Sequence, residues 1–161
     1  MRKEEMTKGT LLAKAIAIAS SAHENQLDKG GNAYILHPMR IMMRLRTDDT
    51  ELMTIAILHD VVEDSDWTIE DLYNEGFSNR VLDALELMTH DKDEDYTTYI
   101  KRIATNSDCI KVKKEDLRDN MDPSRLKGLS RKDFDRMEKY QKAFKYLCLS
   151  LIHISEPTRP Y

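Results

Sequence analysis

The stretch ILHDVVEDSDW, residues 57–67, decides the fold because it places ionisable side chains at the end of a strongly apolar segment. Five of them follow the apolar run: His59, Asp60, Glu63, Asp64 and Asp66. Buried charges are costly unless they are paired or bind a metal ion. A helix with this pattern must therefore direct its ionic end towards partners or into a cavity.

On a helical wheel with about 100° per residue, four of these side chains form one continuous stripe. The stripe consists of His59, Asp60, Glu63 and Asp64. Aliphatic side chains cover the rest of the circumference, and a helix that is apolar nearly all round is buried. Lysines and arginines from elsewhere could neutralise the stripe, and so could a divalent cation. From these residues alone, His59 could instead be a hydrogen-bonded core histidine beside an exposed acidic helix end.

The composition is that of a single ordered globular domain. The chain has 161 residues, of which 40% are hydrophobic and 34% charged, and its formal net charge is −4. An acidic balance argues against nucleic acid as the main partner. Cys109 and Cys148 lack metal-ligand spacing, which favours a reducing compartment. No run approaches the roughly 18 apolar residues of a membrane span. We therefore expect a cytoplasmic protein without membrane contact, whose oligomeric state stays open.

Helical periodicity dominates the chain, which has only five glycines and four prolines. It predicts an all-α domain of about seven to eight helices, covering residues 1–148. The predicted helices run from about Thr7 to Asn25, from Pro38 onward, over 48–64, from a cap at Thr68, from a cap at Ser78, over 96–105, over 108–121, and from Ser130 onward.

The last segment, residues 149–161, reads LSLIHISEPTRPY and breaks the helical pattern. It looks like the conceptual translation of a sequencing-library adapter. We therefore expect a non-native tail and exclude it from the interpretation of fold and site.

Three segments carry a resemblance to a known family. They are AYILHP (33–38), ILHDVVED (57–64) and VKKEDLRDN (112–120). In this order they resemble the HD-domain phosphohydrolase superfamily, and within it the hydrolase domain of the RelA/SpoT-type alarmone enzymes and their small stand-alone relatives. The resemblance extends from about Leu11 to Leu147 and implies an HD-domain helical bundle.

The resemblance implies a metal site made by His37, His59, Asp60 and Asp116. Two imidazoles with two carboxylates form a mixed nitrogen and oxygen site that suits a divalent metal. The family usually uses manganese, while zinc or iron would also suit the donor set. Glu63 and Asp64 match the acidic pair that positions and activates the attacking water in the family.

Substrate contacts are expected from four residues: Lys29, Tyr34, Lys113 and Asn120. Asn120 matches a family asparagine that contacts the sugar or phosphate of the substrate, and it lies one helical turn after Asp116. Lys29 and Lys113, together with Arg118, could offset phosphate charge. These three cations could equally belong to an ordinary solvated surface.

Two positions depart from the family pattern. The loop before AYILHP usually carries an Arg-Lys pair whose arginine packs against the nucleobase, but the matching pair here is Asp28-Lys29. An aspartate cannot stack as a planar guanidinium does. Glu115 replaces a small residue before Asp116, and its helical position predicts that it faces away from the metal.

The resemblance therefore implies a metal-dependent hydrolase, here expected to stand alone, that removes the 3′-pyrophosphate of guanosine tetra- and pentaphosphate (ppGpp). Asp28 motivates an alternative, an HD phosphohydrolase for another nucleotide or phosphate ester. A second alternative is a nucleotide-sensing module without turnover, although the intact ligand positions argue against it.

Overall fold

The computed structural model describes residues 7–155 of the chain, with side chains through residue 152. Within this range the predicted all-α bundle is confirmed, and the β-type pairing is one isolated bridge between Leu27 and Ala33. The helices are α1 (Lys8–Ala22), α2 (Leu36–Arg44), α3 (Thr50–Leu58), α4 (Val61–Asp64), α5 (Ile69–Asn74), α6 (Asn79–Met88), α7 (Tyr96–Ile103), α8 (Ser107–Asn120) and α9 (Arg131–Ser155), with a short 3-10 helix at Pro123–Arg125.

Helix α3 lies at the centre of the bundle. It contacts α1, α2, α6 and α8, and most of its residues are buried. The carboxylate of Asp49 caps its first turn by accepting hydrogen bonds from the amides of Glu51 and Leu52. Because α3 is enclosed on all sides, its C-terminal end delivers side chains into the interior.

The predicted continuous helix over residues 48–64 is wrong, because α3 ends at Leu58 and α4 begins at Val61. No glycine or proline marks this break. The carbonyl oxygen of Ala56 accepts a hydrogen bond from His59 Nδ1 at 2.7 Å. The side chain thus occupies the acceptor that the amide of Asp60 would use if the helix continued. His59 and Asp60 therefore lie in a turn, and the predicted stripe is divided between this turn and α4, which carries Glu63 and Asp64.

Three predicted helix starts are confirmed by their capping hydrogen bonds. Thr68 and Asp71 form a reciprocal capping box at the start of α5. The hydroxyl of Ser78 accepts a hydrogen bond from the amide of Val81 in the first turn of α6. Ser130 and Asp133 make the same reciprocal pair of bonds before α9.

Helix α9 continues to Ser155 and packs against α8. The expectation that the helical pattern breaks at residue 149 is therefore wrong for residues 149–155, and residues 156–161 lie outside the described range. The assignment of 149–161 as a non-native tail stays a prediction. None of the helices in the described range combines the length and the apolar character that a membrane crossing requires.

The loop between α1 and α2 is held in place by Asp28. One oxygen of its carboxylate accepts hydrogen bonds from the amides of Gly30 and Asn32, both at 2.9 Å. Gly30 lies directly against the backbone of Arg125, where an added Cβ atom would come within 2.0 Å of the carbonyl oxygen. The loop and the 3-10 helix are therefore in close contact, which no side chain at position 30 would permit.

We expect Gly30→Ala to destabilise the protein by about 1–3 kcal/mol, the usual cost of forcing extra atoms into a packed contact. Gly128→Ala is the matched control, because nothing lies within 4 Å of the added Cβ atom there. Urea denaturation of both variants measures the difference. Equal free energies of unfolding for the two variants would contradict the close contact.

Candidate metal and substrate site

Two imidazoles and two carboxylates converge between α2, the turn after α3, and α8. His37 Nε2 lies 2.9 Å from Asp116 Oδ1 and 3.7 Å from Asp60 Oδ2. His59 Nε2 lies 3.0 Å from Asp60 Oδ2 and 3.6 Å from Asp116 Oδ1. The structure thus brings together all four predicted metal ligands, of which His37, His59 and Asp116 are buried.

Each histidine is anchored through its other ring nitrogen. His37 Nδ1 donates a hydrogen bond to Asp119 Oδ2 at 2.6 Å, and His59 Nδ1 donates to the carbonyl oxygen of Ala56. Both Nε2 atoms therefore point at the centre of the cluster. Metal-binding histidines are typically held in this way through the nitrogen that does not bind the metal.

The donor set fits a divalent cation. His37, His59 and Asp60 each offer one ligand atom, and these atoms lie within 4.8 Å of one another. His59 Nε2 is buried and makes no hydrogen bond with the described part of the chain, despite its short distance to Asp60. A buried nitrogen left without a hydrogen bond is costly unless an ion is its partner.

The charges of the cluster shift the pKa values of its members in opposite directions. Burial alone would lower the pKa of His59, but the negative charges of Asp60 and Asp116 outweigh it and raise this pKa well above its ordinary value. The pKa of His37 is raised in the same way by its bonds to Asp116 and Asp119. Burial opposes ionisation of Asp60 and Asp116, yet the neighbouring cations lower the pKa values of both carboxyls. The cluster therefore keeps its carboxylates ionised.

Three predicted substrate residues bond to the carboxylates of the cluster. The Tyr34 hydroxyl donates to Asp60 Oδ2. Lys113 Nζ donates to Asp116 Oδ2 at 2.7 Å, and Asn120 Nδ2 donates to Asp116 Oδ1 at 3.0 Å. Lys113 thus neutralises a predicted metal ligand. Arg118, also considered as a phosphate contact, instead pairs with Glu115 and lies over the ring of Phe144.

Glu63 and Asp64 lie at the exposed rim of the cluster. Glu63 Oε1 accepts a hydrogen bond from the amide of His90 at 3.2 Å, and Asp64 Oδ2 accepts one from Gln26 Nε2 at 3.1 Å. Partial desolvation and the negative charge of Asp60 raise the pKa values of both carboxyls, and the bond from Gln26 partly offsets this for Asp64. Both therefore have a greater affinity for a proton than a free carboxylate.

A cavity of about 300 Å³ opens beside the cluster. Predicted residues Lys29, Tyr34, His37 and Asn120 line it, together with residues that the sequence analysis missed: Gln26, Arg125, Arg136 and Tyr140. Burial and the nearby charge of Arg136 lower the pKa of Lys29. Arg136 and Tyr140 come from α9, which no sequence motif connected with the site.

Asp119 is the other important residue that the sequence analysis did not assign. Its side chain is completely buried, and it bonds to His37 and to the guanidinium groups of Arg40 and Arg44. The available signal was its position three residues after Asp116, which places it near the same face of α8.

Sequence and structure comparisons identify relatives. No protein-family model matches the chain. It is 44% identical over 64 residues to a Vibrio cholerae protein named guanosine-3′,5′-bis(diphosphate) 3′-pyrophosphohydrolase, in a match that covers 38% of this chain and 9% of that protein. An Aquifex aeolicus protein of the same name is 31% identical over 120 residues, which cover 68% of this chain and 17% of the relative. The chain thus spans less than a fifth of the length of either relative.

A solved structure extends the comparison to most of the fold. It is described as a metazoan ortholog of SpoT that hydrolyses ppGpp and plays a role in starvation responses. The alignment has a TM-score of 0.72 at 22% sequence identity and covers 89% of this chain and 93% of the other. The solved structure shows the same helical fold, and together with the two named relatives it confirms the resemblance of this chain to the hydrolase domain of the RelA/SpoT-type enzymes.

Proposed function

We propose that the chain is a metal-dependent phosphohydrolase that removes the 3′-pyrophosphate from ppGpp-type nucleotides, with manganese as its metal. The observation that carries the proposal is the convergence of two imidazole nitrogens and two carboxylates beside a cation-lined cavity. The names of the Vibrio cholerae and Aquifex aeolicus relatives support the choice of substrate. So does the description of the structural neighbour.

In this proposal the ion is held by His37, His59, Asp60 and Asp116. A bound divalent ion lowers the pKa of water and polarises a phosphoryl oxygen. Neighbouring side chains hold these ligands in position. Tyr34 orients Asp60 through its hydroxyl, while Lys113 and Asn120 both donate to Asp116. Because each carboxylate has a hydrogen-bond donor outside the cluster, its position does not depend on the ion alone.

Glu63 and Asp64 are the proposed proton acceptors. Their raised pKa values suit a group that takes a proton from the attacking water and returns it to the leaving group. The bonds from the amide of His90 and from Gln26 hold the two carboxylates at the rim. Gln26 is itself hydrogen-bonded to the buried ring of His23 at 2.8 Å. A buried histidine thus helps to hold Asp64 in position.

The cavity offers cations to the phosphates of a nucleotide. Its cations are Lys29, Arg125 and Arg136, and its volume of about 300 Å³ falls at the lower end of the range for small-molecule sites. The carboxylate of Asp28 also lies at this cavity but is occupied by Gly30, Asn32 and Arg125. The ring of Tyr140 offers a surface for a nucleobase.

The proposed partner is a small phosphorylated nucleotide, not nucleic acid, in line with the net charge of −4. The proposed location is the cytoplasm, because Cys109 and Cys148 are both free thiols.

With Mn²⁺ present, the purified protein should convert ppGpp to GDP and pyrophosphate, measured by chromatography of the nucleotides. Asp60→Ala should abolish turnover because a ligand is lost. Glu63→Gln should lower kcat by about 10²–10⁴-fold, the usual contribution of a general base. Glu138→Gln is the matched control, since that glutamate is exposed and pairs with Lys142 on α9.

Two results would redirect the proposal. Cleavage of a plain deoxynucleotide but not of ppGpp would favour the phosphohydrolase with another substrate. Binding of ppGpp that survives in Asp60→Ala, with no turnover of any nucleotide by the unaltered protein, would favour the sensing module.

The affinity for Mn²⁺ should fall as the pH is lowered through the raised pKa values of His37 and His59, because protons compete for the same nitrogens. Near pH 7, binding should release up to about two protons per ion. Isothermal titration calorimetry in buffers of different ionisation enthalpy counts these protons. Binding that releases none would contradict the raised pKa values.

The raised pKa values of His37 and His59 also predict how the stability of the metal-free protein depends on pH. A histidine whose pKa is raised in the folded state contributes its full stabilisation at pH values below its unfolded-state pKa of about 6.5. This contribution is lost as the pH rises through the folded-state pKa. The metal-free protein should therefore lose this part of its free energy of unfolding on the alkaline side. Bound Mn²⁺ should reduce the loss.

A further inference from the structure

We propose that Asp119 is a positioning residue for the metal site, which holds the ring of His37 in the orientation and tautomer that present Nε2 to the ion. This inference rests on the proposed metal-dependent function. No motif or comparison assigns a role to Asp119. It is a positioning residue because it acts through His37 and does not contact the centre of the cluster.

Three arginines and one histidine surround the Asp119 carboxylate. Oδ2 accepts hydrogen bonds from His37 Nδ1 at 2.6 Å and from Arg40 Nη2 at 2.9 Å. Oδ1 accepts bonds from Arg40 Nε at 2.8 Å and from Arg44 Nη1 at 2.9 Å. Arg125 Nη2 lies 3.3 Å from Oδ2 and also bonds to the carbonyl oxygen of Asp119. Every side-chain acceptor position of this buried carboxylate is thus directed at a donor.

The arginines determine the ionisation state of Asp119. A completely buried carboxylate without partners would become protonated, because its charged form loses the solvation of water. Here three guanidinium groups compensate for that loss. An ionised carboxylate is purely an acceptor, so the nitrogen that faces it must carry the proton. Nε2 also faces a carboxylate, Asp116 Oδ1 at 2.9 Å, but the bond from Nδ1 to Asp119 is shorter at 2.6 Å. The neutral ring of His37 therefore keeps its proton on Nδ1, which leaves Nε2 to bind the ion.

The spacing of residues along α2 and α8 explains how two helices supply most of these groups. His37, Arg40 and Arg44 follow one another at spacings of three and four residues, so α2 presents all three on one face. Asp116 and Asp119 are three residues apart on α8 and share a face in the same way. Helix α8 thus offers one carboxylate to the ion and a second to the histidine, while α2 offers the histidine and two of the cations.

Asp119→Asn tests the proposal with nearly unchanged shape. An asparagine has one acceptor oxygen in place of two, so its amide nitrogen must face either His37 or the arginines. We expect the dissociation constant for Mn²⁺ to rise by about 10–100-fold, the usual effect of losing such an outer partner. Isothermal titration with MnCl₂ measures it. Asp108→Asn is the matched control, because that carboxylate is also bound by two bonds from an arginine, Arg80, but belongs to a separate ion-pair cluster.

A second variant leaves Asp119 in place, in case the uncompensated arginines prevent Asp119→Asn from folding. Arg40→Ala removes two of the bonds that orient the carboxylate, at a side chain that is partly exposed. The dissociation constant for Mn²⁺ should rise on the order of threefold to tenfold, in keeping with the modest strength of single hydrogen bonds. Arg80→Ala, with its own exposed cluster of aspartates and glutamate, serves as the control.

The tautomer of His37 in the metal-free protein provides a readout that loss of stability alone does not change. ¹⁵N-resolved NMR of the imidazole, at a pH where the ring is neutral, should show Nδ1–H in the unaltered protein and a population of Nε2–H in Asp119→Asn. If folded Asp119→Asn and Arg40→Ala both bind Mn²⁺ as tightly as the unaltered protein, or His37 stays Nδ1–H throughout, the proposal is overturned. Failure of the proposed function would appear differently, as an unaltered protein that binds Mn²⁺ but hydrolyses nothing.

Discussion

The rest of the structure depends on one constraint, the free-energy cost of burying a cluster of charged groups away from water. His37, His59 and Asp116 are nearly inaccessible to water, and Asp60 is only slightly exposed. Such groups are tolerated only when every one of them has a partner. The surrounding donors and acceptors come from α2, α3, α8 and the loop that contains Tyr34. The packing of these elements is therefore also the assembly of the site.

The two histidines meet this constraint in different ways. His59 is anchored to the carbonyl of Ala56, three residues earlier, so its orientation is a local property of the turn after α3. His37 is anchored to Asp119, which is 82 residues away in sequence. Its orientation therefore exists only when α2 and α8 are packed together. The orientation of His59 is therefore determined by the local sequence, whereas the orientation of His37 depends on tertiary packing.

The sequence predicted those features that depend on short-range patterns. Capping residues such as Thr68 and Ser78 start the expected helices, and the three segments of the family resemblance named the four residues that converge. The break after Leu58 was missed because it depends on a side-chain bond of His59, not on a glycine or proline. Arg125 and Asp119 were missed because Asp28 and Arg40, with which they respectively pair, lie far away in sequence, and neither periodicity nor motif spacing contains such pairings.

Asp28 illustrates how a departure from a family pattern can be explained by a distant residue. The pattern places an arginine at this position, beside the nucleotide. Here Asp28 Oδ2 pairs with Arg125 Nη1 at 3.1 Å, and Arg125 lines the same cavity. An arginine at position 28 would meet Arg125 as a like charge and would lose the bonds to Gly30 and Asn32 that shape the loop. The guanidinium that pairs with Asp28 is supplied by Arg125 of the 3-10 helix, and it lines the cavity. Because that guanidinium also contacts Asp119, the loop beside the substrate cavity and the anchor of His37 share a single cation.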